Sequence, residues 1–141
     1  MRDRMSFTDE ELAEIGENKP SATRPDALGW ARAWVLHVEK IDQGRALPQS
    51  DRSVWTEHDF AAALFIRDFV EAALGRLRPA LADKVRECFT AADDLFRSFT
   101  VADSGDRIAT IAGVDLEGRG WWWFRVPASG PIARDLATYS P

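Results

Sequence analysis

The sequence predicts a mainly α fold with a small C-terminal β-hairpin, an α+β single-domain helical bundle, on three observations. Residues 60–74 are apolar except for Arg67, Asp68 and Glu71, and at about 100° per residue those three share one narrow strip. A helix so nearly apolar all round must be covered on several sides, so it is expected at the centre, with Phe65 and Phe69 in the core. Residues 26–43 and 79–99 carry apolar positions at helical spacing and supply its neighbours. After Asp103-Ser104-Gly105 the period changes to one that suits strands. A chain of 141 residues fits one domain, which buries roughly two-thirds of the surface its unfolded form exposes. The expected organisation is a short acidic helix within 1–17, a linker at 18–25, and a helical domain over 26–141. That domain ends in a hairpin at about 106–127 and a short terminal helix.

In Phe7-Thr8-Asp9-Glu10-Glu11-Leu12, Thr8 can cap a helix, Glu11 can return the hydrogen bond, and Phe7 can staple onto Leu12. Gly16 supplies a stop, and Pro20 and Pro25 among Ser and Thr mark the linker. In the second helix Ala27, Ala31, Trp34, Val38 and Ile41 form a stripe that Trp30 and Val35 widen, ending near Gly44. The stretch 45–54, with Pro48, Ser50, Asp51 and Ser53, reads as a loop. Trp55, Thr56, Asp59 and Phe60 repeat the staple and capping box ahead of the central helix, which ends near Gly75. Pro79 then opens a helix whose face runs from Leu81 through Val85, Cys88, Phe89, Ala92 and Phe96 to Phe99. Strands are expected at 107–114 and 121–126 around a turn at 115–120, and Gly130-Pro131 opens the terminal helix.

Eight Phe and six Trp supply enough apolar area for a core without disulfide or metal. The formal charge is −5, of which residues 1–17 hold −4, leaving a near-neutral body with no basic stripe for a phosphate backbone; no nucleic acid partner is expected. Cys88 is the sole cysteine and sits on an apolar helix face, which suits a reducing cytoplasm. The chain opens Met-Arg-Asp-Arg and turns acidic rather than apolar, unlike a secretory signal. No apolar run reaches the roughly 20 residues a membrane span needs, so neither export nor membrane association is expected. Arg far exceeds Lys, a bias that resembles the product of a GC-rich bacterial genome.

The most specific feature is Trp121-Trp122-Trp123-Phe124. On a strand Trp122, Phe124 and Val126 share one face, leaving Trp121, Trp123 and Arg125 on the other. One set fills the core, and the second needs another layer, a ligand or a partner. Exposed Trp beside Arg has the composition of a binding hot spot. Rimmed by the acidic Glu10, Glu11 and Glu14, this face is the expected binding surface for a basic protein partner. Arg67, Asp68 and Glu71 form the alternative ligand site, between the central helix and the hairpin; Arg67 and Glu71 are also within reach of each other as a structural pair. Asp93 and Asp94 are neighbours about 100° apart on a helix and cannot converge by themselves; Asp93 can pair with Arg97.

The order of His37, His58-Asp59 and Asp93 or Asp94 resembles that of the all-helical metal-dependent phosphohydrolases, which use a His, a His-Asp pair and a distant Asp. In that family the pair follows an apolar run, whereas here it precedes one, and Asp59 already has a capping task. A first-turn acid and a boundary histidine are therefore expected, with no metal and no cofactor. There is no Gly-rich phosphate loop, nucleophile elbow, or cysteine–histidine metal spacing, which argues against an enzyme. The expected function is a small acidic cytoplasmic protein-binding module, of the immunity or antitoxin kind that neutralises a basic enzyme. The alternative is a small-ligand-binding protein or hydrolase using Arg67, Asp68 and Glu71.

Overall fold

The computed structural model describes residues 6–19, 21–48, 50–51 and 54–139. Pro20 of the expected linker, Ser53 of the expected loop, and Arg2, Asp3 and Arg4 of the acidic N-terminal segment lie outside them. The fold class is the expected one, mostly helical with a two-stranded antiparallel sheet near the C-terminus.

Helix α1 (Asp9–Glu17) begins with the expected capping box: the Glu11 amide donates to Thr8 Oγ1 at 3.1 Å and the Thr8 amide donates to Glu11 Oε1 at 2.8 Å. Nine residues are too few to hold a helix in isolation. Tertiary contact supplies the rest, because Phe7 and Ile15 are buried, Glu11 pairs with Lys84 and Glu14 with Arg78. Both ion partners lie on or beside α4 (Pro79–Glu87).

Helices α2 (Ala27–Gly44) and α3 (Glu57–Leu74) run antiparallel, since Trp30 meets Phe69 at one end and His37 meets Trp55 at the other. Asp26 caps α2 by accepting the Gly29 amide, and Thr56 and Asp59 cap α3 as a box. Trp34, Val38 and Ile41 of α2 close on Phe60, Leu64 and Val70 of α3, all buried.

The single helix expected from Pro79 to Phe99 is two, α4 and α5 (Thr90–Phe99). At the joint the Cys88 and Phe89 amides bond only three residues back, and the Arg86 carbonyl that accepts the Phe89 amide also accepts the Thr90 hydroxyl. The break turns the fully buried Phe89 inward.

The strand order differs from the expected hairpin at 106–127. Strand β1 (Thr100–Ala102) pairs antiparallel with β2 (Arg125–Pro127), with Val101 opposite Val126. The expected strand at 107–114 is helix α6 (Asp106–Ala112), and the tryptophan run is a 3₁₀ turn, Trp121–Phe124. Ile108 is fully buried, and β propensity, a preference of about 1 kcal/mol across its whole scale, does not outweigh that burial. Gly105 permits the entry to α6: its φ is +83°, and a Cβ there would stand 2.8 Å from the Trp123 carbonyl oxygen. Helix α7 (Pro131–Leu136) follows, opened by Pro131 as expected.

Phe65 and Phe69 are not core residues, contrary to expectation: Phe65 is half-buried and Phe69 is 41 % exposed, while Phe60 on the same helix is fully buried. Phe60→Ala should therefore lower stability by about 3–5 kcal/mol and Phe69→Ala by only about 1 kcal/mol. Urea midpoints at constant slope check this, and a loss at Phe69 equal to that at Phe60 would place both rings in the core.

Candidate functional site

The polar strip of α3 points inward. Arg67 is 2 % exposed, and its guanidinium grips Asp93 of α5 twice, Nε to Oδ1 at 3.1 Å and Nη2 to Oδ2 at 3.0 Å. Its Nη1 donates to Glu71 Oε1 at 2.7 Å. Asp93 Oδ1 also accepts the Trp34 indole N–H at 2.9 Å, and Glu71 accepts from Arg86. The rings of Trp122 and Phe89 flank the cation at 4.4 and 4.8 Å. Burial alone would raise the Glu71 pKa, but hydrogen bonds from Arg86 and Arg67 outweigh it and hold the carboxyl below its ordinary value.

Asp68, one residue on, organises the 3₁₀ turn. Its Oδ1 accepts the indole N–H of both Trp122 (2.8 Å) and Trp123 (2.9 Å), and its Oδ2 accepts from Arg119 at 2.8 Å. A 3₁₀ turn spreads successive side chains by about 120°, so the three rings go three ways. Trp122 lies over Arg67, Trp123 meets Phe65 edge-on at 5.2 Å, and Trp121 sits between Phe96 and the Arg97 guanidinium. Trp122 also lies against Gly120, where a Cβ would stand only 2.2 Å from the ring.

The expected partner face is not assembled. Trp123 is fully buried and Trp121 half-buried, because the run does not alternate as a strand would. Arg125 donates to the Thr100 hydroxyl and carbonyl, tying β2 to the end of α5. Glu11 and Glu14 are spent on Lys84 and Arg78, leaving Glu10 as the one outward residue of the expected acidic rim. The alternative site residues Arg67, Asp68 and Glu71 are brought together, with their polar atoms engaged as above. Beside them Asp68, Glu71, Glu117, Arg119 and Trp122 line an open depression of about 430 Å³.

The residues that resemble the phosphohydrolase order do not converge. His37 Nδ1 lies 2.8 Å from the Ala33 carbonyl, His58 is exposed beside Glu57, Asp59 caps α3, and Asp93 holds Arg67. Asp93 does not pair with Arg97, which stands 3.6 Å from Asp94 instead. Among the described residues no group of three His, Cys, Asp or Glu side chains could hold a metal ion, and no helix is long and apolar enough to cross a membrane.

With Arg67 inward, the opposite side of α3 is outward, and it is apolar. Ala62, Phe69 and Ala72 are exposed and Phe65 and Ile66 half-exposed, a continuous strip at helical spacing. Trp30 borders it, 4.8 Å from Phe69 between ring centres. The sequence carried the signal, since positions 62, 65, 69 and 72 lie across the helix from Arg67. A helix so nearly apolar is expected to be covered on several sides, and that expectation hides the bare face.

Asp93→Ala would remove two of the three carboxylate hydrogen bonds of the buried Arg67, leaving Glu71 alone, and should cost about 3 kcal/mol. Asp68→Ala would strand two indole N–H groups and should cost about 3 kcal/mol with a changed near-ultraviolet tryptophan signal. Unfolding curves check both, and a loss below about 0.5 kcal/mol at either would remove it from the clamp. Glu11 behaves differently because its carboxyl, hydrogen-bonded by Lys84 and by the Thr8 amide, is lowered from 4.5 to about 2. A lowered folded pKa means that its contribution to docking α1 is full above the ordinary value and is lost as the pH falls through about 2. Carboxyl-carbon NMR should give a Glu11 midpoint near 2 that moves toward 4.5 in Lys84→Met; a wild-type midpoint near 4.5 would contradict the pairing. No protein-family model, curated protein or solved structure matches the chain, so its function has to be read from its own residues.

Proposed function

We propose that the protein acts by binding another protein through the outward apolar face of α3, in the manner of an immunity or antitoxin protein that covers a basic enzyme. The observation that carries this reading is the inverted helix. Arg67 occupies the core while Phe69, 41 % exposed, Ala62 and Ala72 face out, with half-buried Phe65 and Ile66 between them. An apolar strip of that kind has the make-up of an interface centre. The charge of −5, with Asp9, Glu10 and Glu17 exposed on α1, favours a basic partner and speeds encounter with it.

The small-ligand or hydrolase reading keeps one supporting observation, the open depression beside Asp68 and Glu71. Two features weigh against it: both carboxylates are already engaged by Arg, Trp or both, and Trp122 is only 5 % exposed, which leaves little ring to receive a ligand.

Affinity capture from the native host with wild-type and Phe69→Glu protein tests the proposal. A single basic protein should co-purify with the wild type and be lost with the variant, while the unfolding midpoint of the variant stays within about 1 kcal/mol of wild type. Equal recovery by both proteins would remove the α3 face from the function.

A further inference from the structure

We infer that the element taken up by the α3 face is an amphipathic helix of the partner with basic residues along one flank; this rests on the protein-binding reading above. The strip from Ala62 to Ala72 rises about 15 Å at 1.5 Å per residue, close to three helical turns. Its two large rings, Phe65 and Phe69, lie in the middle, with an alanine beyond each. Small residues at the ends of a strip let another helix approach closely, while the rings offer ridges for its side chains to interdigitate with. Recognition on such a surface is made by side chains at i, i+3, i+4 and i+7 of the incoming segment.

The two shoulders of the strip differ. On the α2 side stands Trp30, apolar and 9 % exposed. The other shoulder is the loop at 113–119, held there by Arg119, whose guanidinium lies 6.0 Å over the Phe65 ring and bonds both Asp68 and the Asp115 carbonyl. Asp115 and Glu117 of this loop are exposed, as is Asp106 at the start of α6. Two open depressions lie along it, about 670 Å³ with Asp106 and Asp115 on its lining and about 430 Å³ with Asp68, Glu71 and Glu117 on its lining. The one cation within this loop, Arg119, already neutralises Asp68. An apolar floor with one apolar and one acidic shoulder is the complement of a helix carrying leucine-like anchors and a row of Lys or Arg beside them.

Fluorescence anisotropy of the full chain with a labelled Leu/Lys amphipathic peptide of roughly 18 residues, about five helical turns, tests this. The comparison probes are a scrambled peptide of the same composition and a Leu/Glu amphipathic peptide. The Leu/Lys helix should bind on the order of tenfold more tightly than either. Phe69→Ser should weaken it by about tenfold, and the double reversal Asp115→Lys with Glu117→Lys should do the same while flattening the salt dependence. Equal binding of the scrambled peptide, or indifference to the double reversal, would overturn the basic-flank inference. Phe69-dependent binding of the Leu/Glu helix at equal or greater strength would also overturn it, yet leave the α3 face as a protein-binding surface. Binding of every peptide unaffected by Phe69→Ser would remove both.

Discussion

Burying the Arg67 guanidinium is the constraint on which the rest of the structure depends. A charge at 2 % exposure is tolerable only with a full set of partners, and the chain recruits them from separate elements. Asp93 comes from α5, Glu71 from the next turn of α3, and the rings of Phe89 and Trp122 from the α4–α5 joint and the 3₁₀ turn. Each partner is itself held, Asp93 by Trp34 and Glu71 by Arg86. The network therefore fixes the position of α2, α3, α4 and α5 relative to one another, a geometric specificity that a purely apolar seam supplies less sharply.

Asp68 extends the same logic to the C-terminal part. By accepting two indole N–H groups and one guanidinium it fastens the tryptophan turn to α3, and the turn carries β2 to its pairing with β1. The sheet is only three residues per strand, below what stands alone in water. It persists because Arg125 and the tryptophans anchor one strand while α5 leads directly into the other. What reads in the sequence as an alternative ligand site, Arg67, Asp68 and Glu71, is in the structure a fastening that leaves the opposite side of α3 bare.

That inversion is what the proposed function rests on. A helix with charges on one strip and apolar residues elsewhere normally turns the strip to solvent. Here the cross-links from the strip to α4, α5 and the 3₁₀ turn outweigh that preference, so Phe69 and its neighbours become surface. The functional reading moves accordingly, from the C-terminal tryptophans to the middle of the central helix.

The sequence by itself determined the helices with strong caps and clear periodicity. The capping boxes at Thr8 and Thr56, the α2 stripe ending at Ile41, and Pro131 at the start of α7 are all where local chemistry places them, because capping and amphipathic spacing act within a few residues. Docking of α1 was half legible: Phe7 could be named as an apolar anchor, but Lys84 and Arg78 as the partners of Glu11 and Glu14 could not. Only the tertiary structure decided whether residues 107–114 and 121–124 were strands, since Ile108 gains full burial in a helix and the tryptophans gain Asp68 in a 3₁₀ turn. It alone decided, too, which side of α3 faces the core. A helical wheel gives the angle between Arg67 and Phe69, but which of them turns inward depends on Asp93, 26 residues away, presenting a carboxylate at hydrogen-bonding distance, and no local pattern encodes that meeting.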